Sequence, residues 1–85
     1  MIFRPHKKFK KSFTKLSKTE RRQLDEALKC LVADPSDPKL KNHILHRQYA
    51  GCNEITLSYD LRLIYEEVDG VALLLKVGTH NQLFG

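Results

Sequence analysis

The hydrophobic pattern of this chain changes period part-way along, and that change limits the fold more than any other feature. Leu24, Ala27, Leu28, Leu31 and Val32 recur at i, i+3, i+4, i+7 and i+8, one face of an α-helix. Ahead of them Ser17-Lys18-Thr19-Glu20 has capping-box spacing, in which the serine hydroxyl and the glutamate carboxylate each accept from an otherwise free backbone N–H. Asp34-Pro35 stops the pattern, because a residue before proline avoids the α region. A shorter helix is predicted before it from Phe9, Phe13 and Leu16, with Lys7, Lys8, Lys10, Lys11 and Lys15 on its other sides, and Met1 to Arg4 suits a brief edge strand. From Glu54 the period becomes two, with Ile55, Leu57 and Tyr59 facing one way and Glu54, Thr56 and Ser58 the other, as in a half-buried strand. Leu61 to Val68 reads as a second strand, Asp69-Gly70 as a two-residue hairpin turn, and Val71 to Val77 as a third strand apolar enough to be central. Residues 34–43, DPSDPKLKNH, carry two Asp-Pro turn signals and no period, so they are predicted to be a connecting loop. The expected class is α+β, an N-terminal helical hairpin laid on one face of an antiparallel meander.

A chain of 85 residues has material for one modest core, so a single domain over 1–85 is expected. No apolar run approaches a membrane span, and the cationic start leads into no apolar segment of the kind a signal peptide needs, so no membrane partner and a cytoplasmic location are expected. Cys30 and Cys52 form no CxxC pair and no disulfide framework, and both read as packing residues in a reducing compartment. The net charge of +5 conceals an asymmetry: residues 1–22 hold nine Lys or Arg against Glu20 alone, while the rest hold six against nine acids. Cations concentrated at one end point to a polyanion such as nucleic acid, or to an acidic protein partner, since clustered Lys and Arg neutralise phosphates with release of counterions. A solvated helix face is the plainer alternative.

The closing residues Gly78-Thr79-His80-Asn81-Gln82-Leu83-Phe84-Gly85 resemble the Gly-Thr-His, two variable residues, Leu-Phe motif of the RelE/ParE superfamily of bacterial toxins, most closely its YafQ-like branch. Lys41-Asn42-His43-Ile44-Leu45 is similar to that branch's Lys-Asp-His-x-Leu, and Asp60 with Leu63-Ile64-Tyr65 to its Asp-x-x-Leu-Ile-Tyr; Gly51 matches as well. The resemblance covers the C-terminal half by motif and the helical half only by pattern. It implies the RelE-like fold and a toxin that cuts messenger RNA in the ribosomal A site and is silenced by a cognate antitoxin. It also implies contact with operator DNA only through the toxin–antitoxin complex.

Cleavage of this kind uses the neighbouring 2′-hydroxyl as nucleophile, so it needs a base, an acid for the leaving 5′-oxygen, and cations around the phosphorane, but no metal or other cofactor. The resemblance assigns His80 to general acid or base catalysis, with the acid favoured, and His43 to proton transfer or phosphate contact. Glu54 and Asp60 match acidic family positions, to orient a histidine or take the 2′-hydroxyl proton. Phe84, four residues after His80, is expected to stack on a splayed base or to plug the core, two compatible roles. Arg62, Lys41 and Lys76 are candidates for phosphate charge, and Lys7, Lys8, Lys10 and Lys11 for the field that draws RNA in.

Two positions depart from the branch: Thr56 stands where it has a histidine, and Leu61 where an aromatic follows the acid. His46 is a hypothetical substitute for the missing imidazole. His43, His46, Cys52 and His80 are eligible metal ligands, but a lone His-x-x-His spacing with no second close pair is weak evidence for zinc. The competing readings are a non-catalytic toxin, as in the superfamily's gyrase inhibitors, and a basic ribosome- or RNA-binding module.

Overall fold

A computed structural model describes residues 1–85. The order of elements is strand β1 (Ile2–Pro5), helices α1 (Lys7–Phe13) and α2 (Lys18–Ala33), a single 3-10 turn over Pro38–Leu40, strands β2 (His43–Ile44), β3 (Asn53–Thr56), β4 (Leu61–Val68) and β5 (Val71–Thr79), and a last short helix α3 (His80–Phe84). The strands form one sheet in the order β1-β5-β4-β3-β2.

Local signals account for the boundaries they were read from. Ser17 Oγ accepts from Glu20 N–H at 3.1 Å while Ser17 N–H donates to the Glu20 carboxylate at 2.8 Å, so α2 opens on the expected capping box. Asp69 and Gly70 both take positive φ, 52° and 80°, the mirror-turn geometry that matches the twist of a two-residue hairpin. The apolar stripes of α1 and α2 bury Phe9, Leu24, Ala27 and Leu31 against Ile55, Leu61, Leu63, Tyr65, Ala72, Leu74 and Val77 of the sheet. That is the expected helical layer over one face of the strands.

Four features differ from expectation. β1 runs parallel to β5, pairing Ile2 with Val71 through Pro5 with Leu74, which makes the sheet mixed. Only a long connection permits a parallel neighbour, and here nearly the whole chain intervenes. β3 stops at Thr56, and Leu57 to Asp60 form a tight turn closed by Leu57 N–H and Ser58 N–H on the Leu61 carbonyl, so Tyr59 points to solvent instead of inward. Residues 34–43 contain the 3-10 turn, and their last residue, His43, begins β2.

The sheet face expected to meet solvent is also covered. Cys52, Ile64 and Leu83 form a second, smaller core there, with Leu45, Tyr49, Leu75 and Phe84 packed around it. α3 therefore folds back over the strands, and this is why Glu54, on the face read as exposed, is only 3% accessible.

Candidate active site

Three side chains from three neighbouring strands meet at Glu54. β2 brings His43 directly opposite it, and β4 places Arg62 on the same face, opposite Thr56. Arg62 Nη1 donates to Glu54 Oε1 at 3.2 Å, and His43 Nε2 lies 3.6 Å from the same oxygen. Glu54 is almost wholly enclosed, whereas the His43 side chain is 51% exposed and that of Arg62 29%. Glu54 Oε2 and Arg62 Nε are buried without a hydrogen-bond partner.

The orientation of His43 follows from its other nitrogen. Nδ1 is 2.8 Å from the Lys41 carbonyl, which can only accept, so Nδ1 carries the hydrogen and Nε2 is the atom free to take a proton. Lys41 adopts the left-handed conformation with φ 47°, which turns that carbonyl inward. Asn42 fastens the bend: its Nδ2 donates to the Pro35 carbonyl at 3.2 Å and to Tyr65 Oη at 3.0 Å, and its Oδ1 accepts from Asn53 Nδ2 at 3.0 Å. A proton gained at His43 Nε2 thus arrives beside a fixed carboxylate.

His80 is positioned by a different device. Thr79 caps α3, its Oγ1 accepting from Gln82 N–H at 3.2 Å while Thr79 N–H donates to Gln82 Oε1 at 2.8 Å. Gly78 leaves room for this box, since a Cβ there would stand 2.6 Å from Gln82 Oε1 and push that amide off the Thr79 N–H. His80 then leans on Phe84, with ring centroids 5.0 Å apart, and Phe84 meets the edge of Tyr49 at 5.8 Å. Leu83 in the same turn packs with Ile64, the β4 residue opposite Glu54, so α3 and Glu54 share one sheet face.

A third group lies at the free edge of β5. β1 covers β5 only as far as Leu74, and beyond it Ser12 Oγ of α1 accepts the Val77 N–H at 3.1 Å. The hollow alongside, about 310 Å³, is lined by Lys8, Lys11, Ser12, Lys15, Tyr49 and Lys76. It contains four ammonium groups and no carboxylate. None of the four makes an ion pair.

A family model described as the bacterial toxin of a type II toxin–antitoxin system, YafQ, matches residues 1–85. The chain belongs to the YafQ family. Its fold is similar to that of YafQ from E. coli strain BL21(DE3), at 23% identity over 98% of this chain and 97% of that one, with a TM-score of 0.84. The toxin in the E. coli DinJ-YafQ toxin-antitoxin complex matches at 22% identity, 98% and 96% coverage and a TM-score of 0.81. A YoeB/ParE toxin from Agrobacterium tumefaciens, at 12% identity over 94% and 99% of the chains and a TM-score of 0.76, extends the same α+β RelE-like fold further. Comparison with curated proteins finds no match.

Within this YafQ-family fold the candidate residues fall into separate sets. His43, Glu54 and Arg62 touch, His80 and Phe84 touch, and Lys8, Lys11 and Lys76 share the hollow. Asp60 is not in the Glu54 cluster; it lies exposed in the β3–β4 turn with no ion pair or side-chain hydrogen bond, because β3 ends before reaching it. Lys7 and Lys10 do not line the hollow, and Lys41 contributes its carbonyl to His43. His46 is exposed, and nowhere do three His, Cys, Asp or Glu side chains converge as a metal site would need. The sequence reading missed Tyr49, Asn42 and Gln82 as positioning groups. Only Gln82 had a local signal, the Thr-x-x-Gln capping box.

Proposed function

We propose that this YafQ-family toxin is a metal-independent endoribonuclease that cuts messenger RNA, engaged on the ribosome, and that a cognate antitoxin silences it. The observation that carries this reading is the half-exposed His43, whose Nδ1 is tied to a carbonyl and whose Nε2 is backed by the buried Glu54 carboxylate. In this reading His43 Nε2 removes the 2′-hydroxyl proton, and Glu54 stabilises the imidazolium that results. The 2′-oxygen bonds to phosphorus as the bond to the 5′-oxygen breaks. His80 delivers a proton to that oxygen, leaving a 2′,3′-cyclic phosphate and a 5′-hydroxyl. Arg62 offers its remaining guanidinium hydrogens to the phosphoryl oxygens, and Phe84 presents a face to a splayed base. Buried as it is, Glu54 orients rather than attacks. The lysine-lined hollow receives the RNA backbone, and operator DNA is met only through the antitoxin complex.

Primer extension on a translated message, with wild-type protein, His80→Ala and His43→Ala, each with and without ribosomes, tests the proposal. Cleavage by wild type that each variant lowers by about 10² or more, the scale of losing a proton-transfer group, is the expected result. No cleavage under any condition would remove the nuclease reading and turn attention to gyrase and to simple RNA binding.

A further inference from the structure

Tyr59 is 98% exposed, the most solvent-bathed of the large hydrophobic side chains, at the tip of the β3–β4 turn. The turn is not slack. Leu57 N–H and Ser58 N–H both donate to the Leu61 carbonyl, at 2.8 and 3.3 Å, and Leu61 is anchored in the main core at 4% exposure. An aromatic ring is thus held out from a rigid base, with nothing in the chain packed on it.

The position of the turn gives the ring a context. Leu61 pairs with Thr79, the residue that caps α3 immediately before His80. β4 and its turn flank the C-terminal end of β5 on one side, and α1 with the lysine-lined hollow flanks β5 on the other. A polyanionic strand drawn into the hollow and passing His80 at the end of β5 would continue onto the β3–β4 turn. The exposed side chains of that turn are Tyr59 and Asp60, and of the two only the ring can take a base, since the carboxylate repels phosphate.

From this placement we infer that Tyr59 stacks on an RNA base flanking the scissile phosphate, on the side away from the lysine-lined hollow, and so fixes the reading position of the substrate. This rests on the nuclease reading above and deepens it. A tyrosine suits the task because base–aromatic stacking tolerates any base and takes little ordering when the ring is already presented. Tyr59 is a positioning residue, removed from the proton transfers.

The test uses a short oligoribonucleotide carrying 2-aminopurine at successive positions, free and on programmed ribosomes, bound to the His80→Ala protein so that it is not consumed. One position should be quenched. Adding Tyr59→Ala should restore its fluorescence and weaken binding by about 5- to 150-fold, the usual range for losing a stacked aromatic, whereas Tyr59→Phe should keep both. In the otherwise wild-type protein Tyr59→Ala should raise KM with kcat little changed. Unaltered quenching and affinity in Tyr59→Ala would overturn the inference, as would a loss confined to binding of the antitoxin, which would assign the ring to a protein interface. If the wild-type protein cuts RNA while the Tyr59 variants are indistinguishable, only this inference falls; if it cuts none, both readings fall.

Discussion

At the scale of single residues the decisive group is Glu54. A carboxylate loses most of its hydration when enclosed, and it persists only where cations and donors replace that water. Arg62 does so through one 3.2 Å bond, and His43 stands at 3.6 Å, yet Glu54 Oε2 has no partner at all. The pair is therefore a poor stability device and a good orienting one. Arg62→Ala should cost about 1–3 kcal/mol in urea unfolding, because it strands a buried acceptor. Glu54→Gln, which keeps the shape and an acceptor for Arg62 while deleting the charge beside His43, should cost less stability and lower cleavage about tenfold or more. If Glu54→Gln cleaves as wild type does, the carboxylate has no part in holding the imidazolium.

Among elements, α3 shows what local sequence discloses and what it does not. The Ser17–Glu20 capping box and the Asp69-Gly70 turn were legible because each is settled by residues within a few positions of one another. The pairing of β1 with β5 was not, since its partners are some seventy residues apart and no turn links them. The burial of Glu54 was misread for the same reason: alternation along β3 gives two faces but not which is covered, and the cover is Leu83 and Cys52, brought from thirty-one positions apart. Of the candidate site, His43, Glu54, Arg62, His80 and Phe84 were named in the sequence, whereas Tyr49, Asn42 and Gln82 were not, and the separation of Asp60 from Glu54 depended on where β3 ends. α3 itself hangs on a contact that can be tested. Gly78→Ala should displace Gln82 Oε1 and cost about 0.5–2 kcal/mol, the worth of a cap. Gln82→Ala should cost a similar amount, and the double variant no more than either alone, because both remove one bond. Simple additivity in that cycle would mean that Gly78 serves some other contact.

For the whole molecule, each of the two cores encloses a weak acid, and this ties stability to alkaline pH. Burial pushes the Cys52 thiol up in the small core under α3, with the nearby Glu66 charge adding to it. Burial likewise raises Tyr65 in the main core, only partly opposed by the hydrogen bond from Asn42. Loss of solvation and a bond to Asp37 raise Cys30 as well. Each group keeps its proton in the folded state at a pH where the unfolded chain has released it. The stabilisation is whole below the unfolded value and drains away as pH climbs through the folded one. Urea unfolding should therefore report constant cysteine contributions up to about pH 8.5, a falling stability above it, and a steeper fall beyond about pH 10 as Tyr65 joins. Replacing both cysteines by alanine should flatten the first limb and leave the second, while Tyr65→Phe should do the reverse at the expense of the Asn42 bond. A slope that is unchanged in the cysteine variant would show that the small core does not exclude water from Cys52, and with it that α3 does not seal the face on which Glu54 lies.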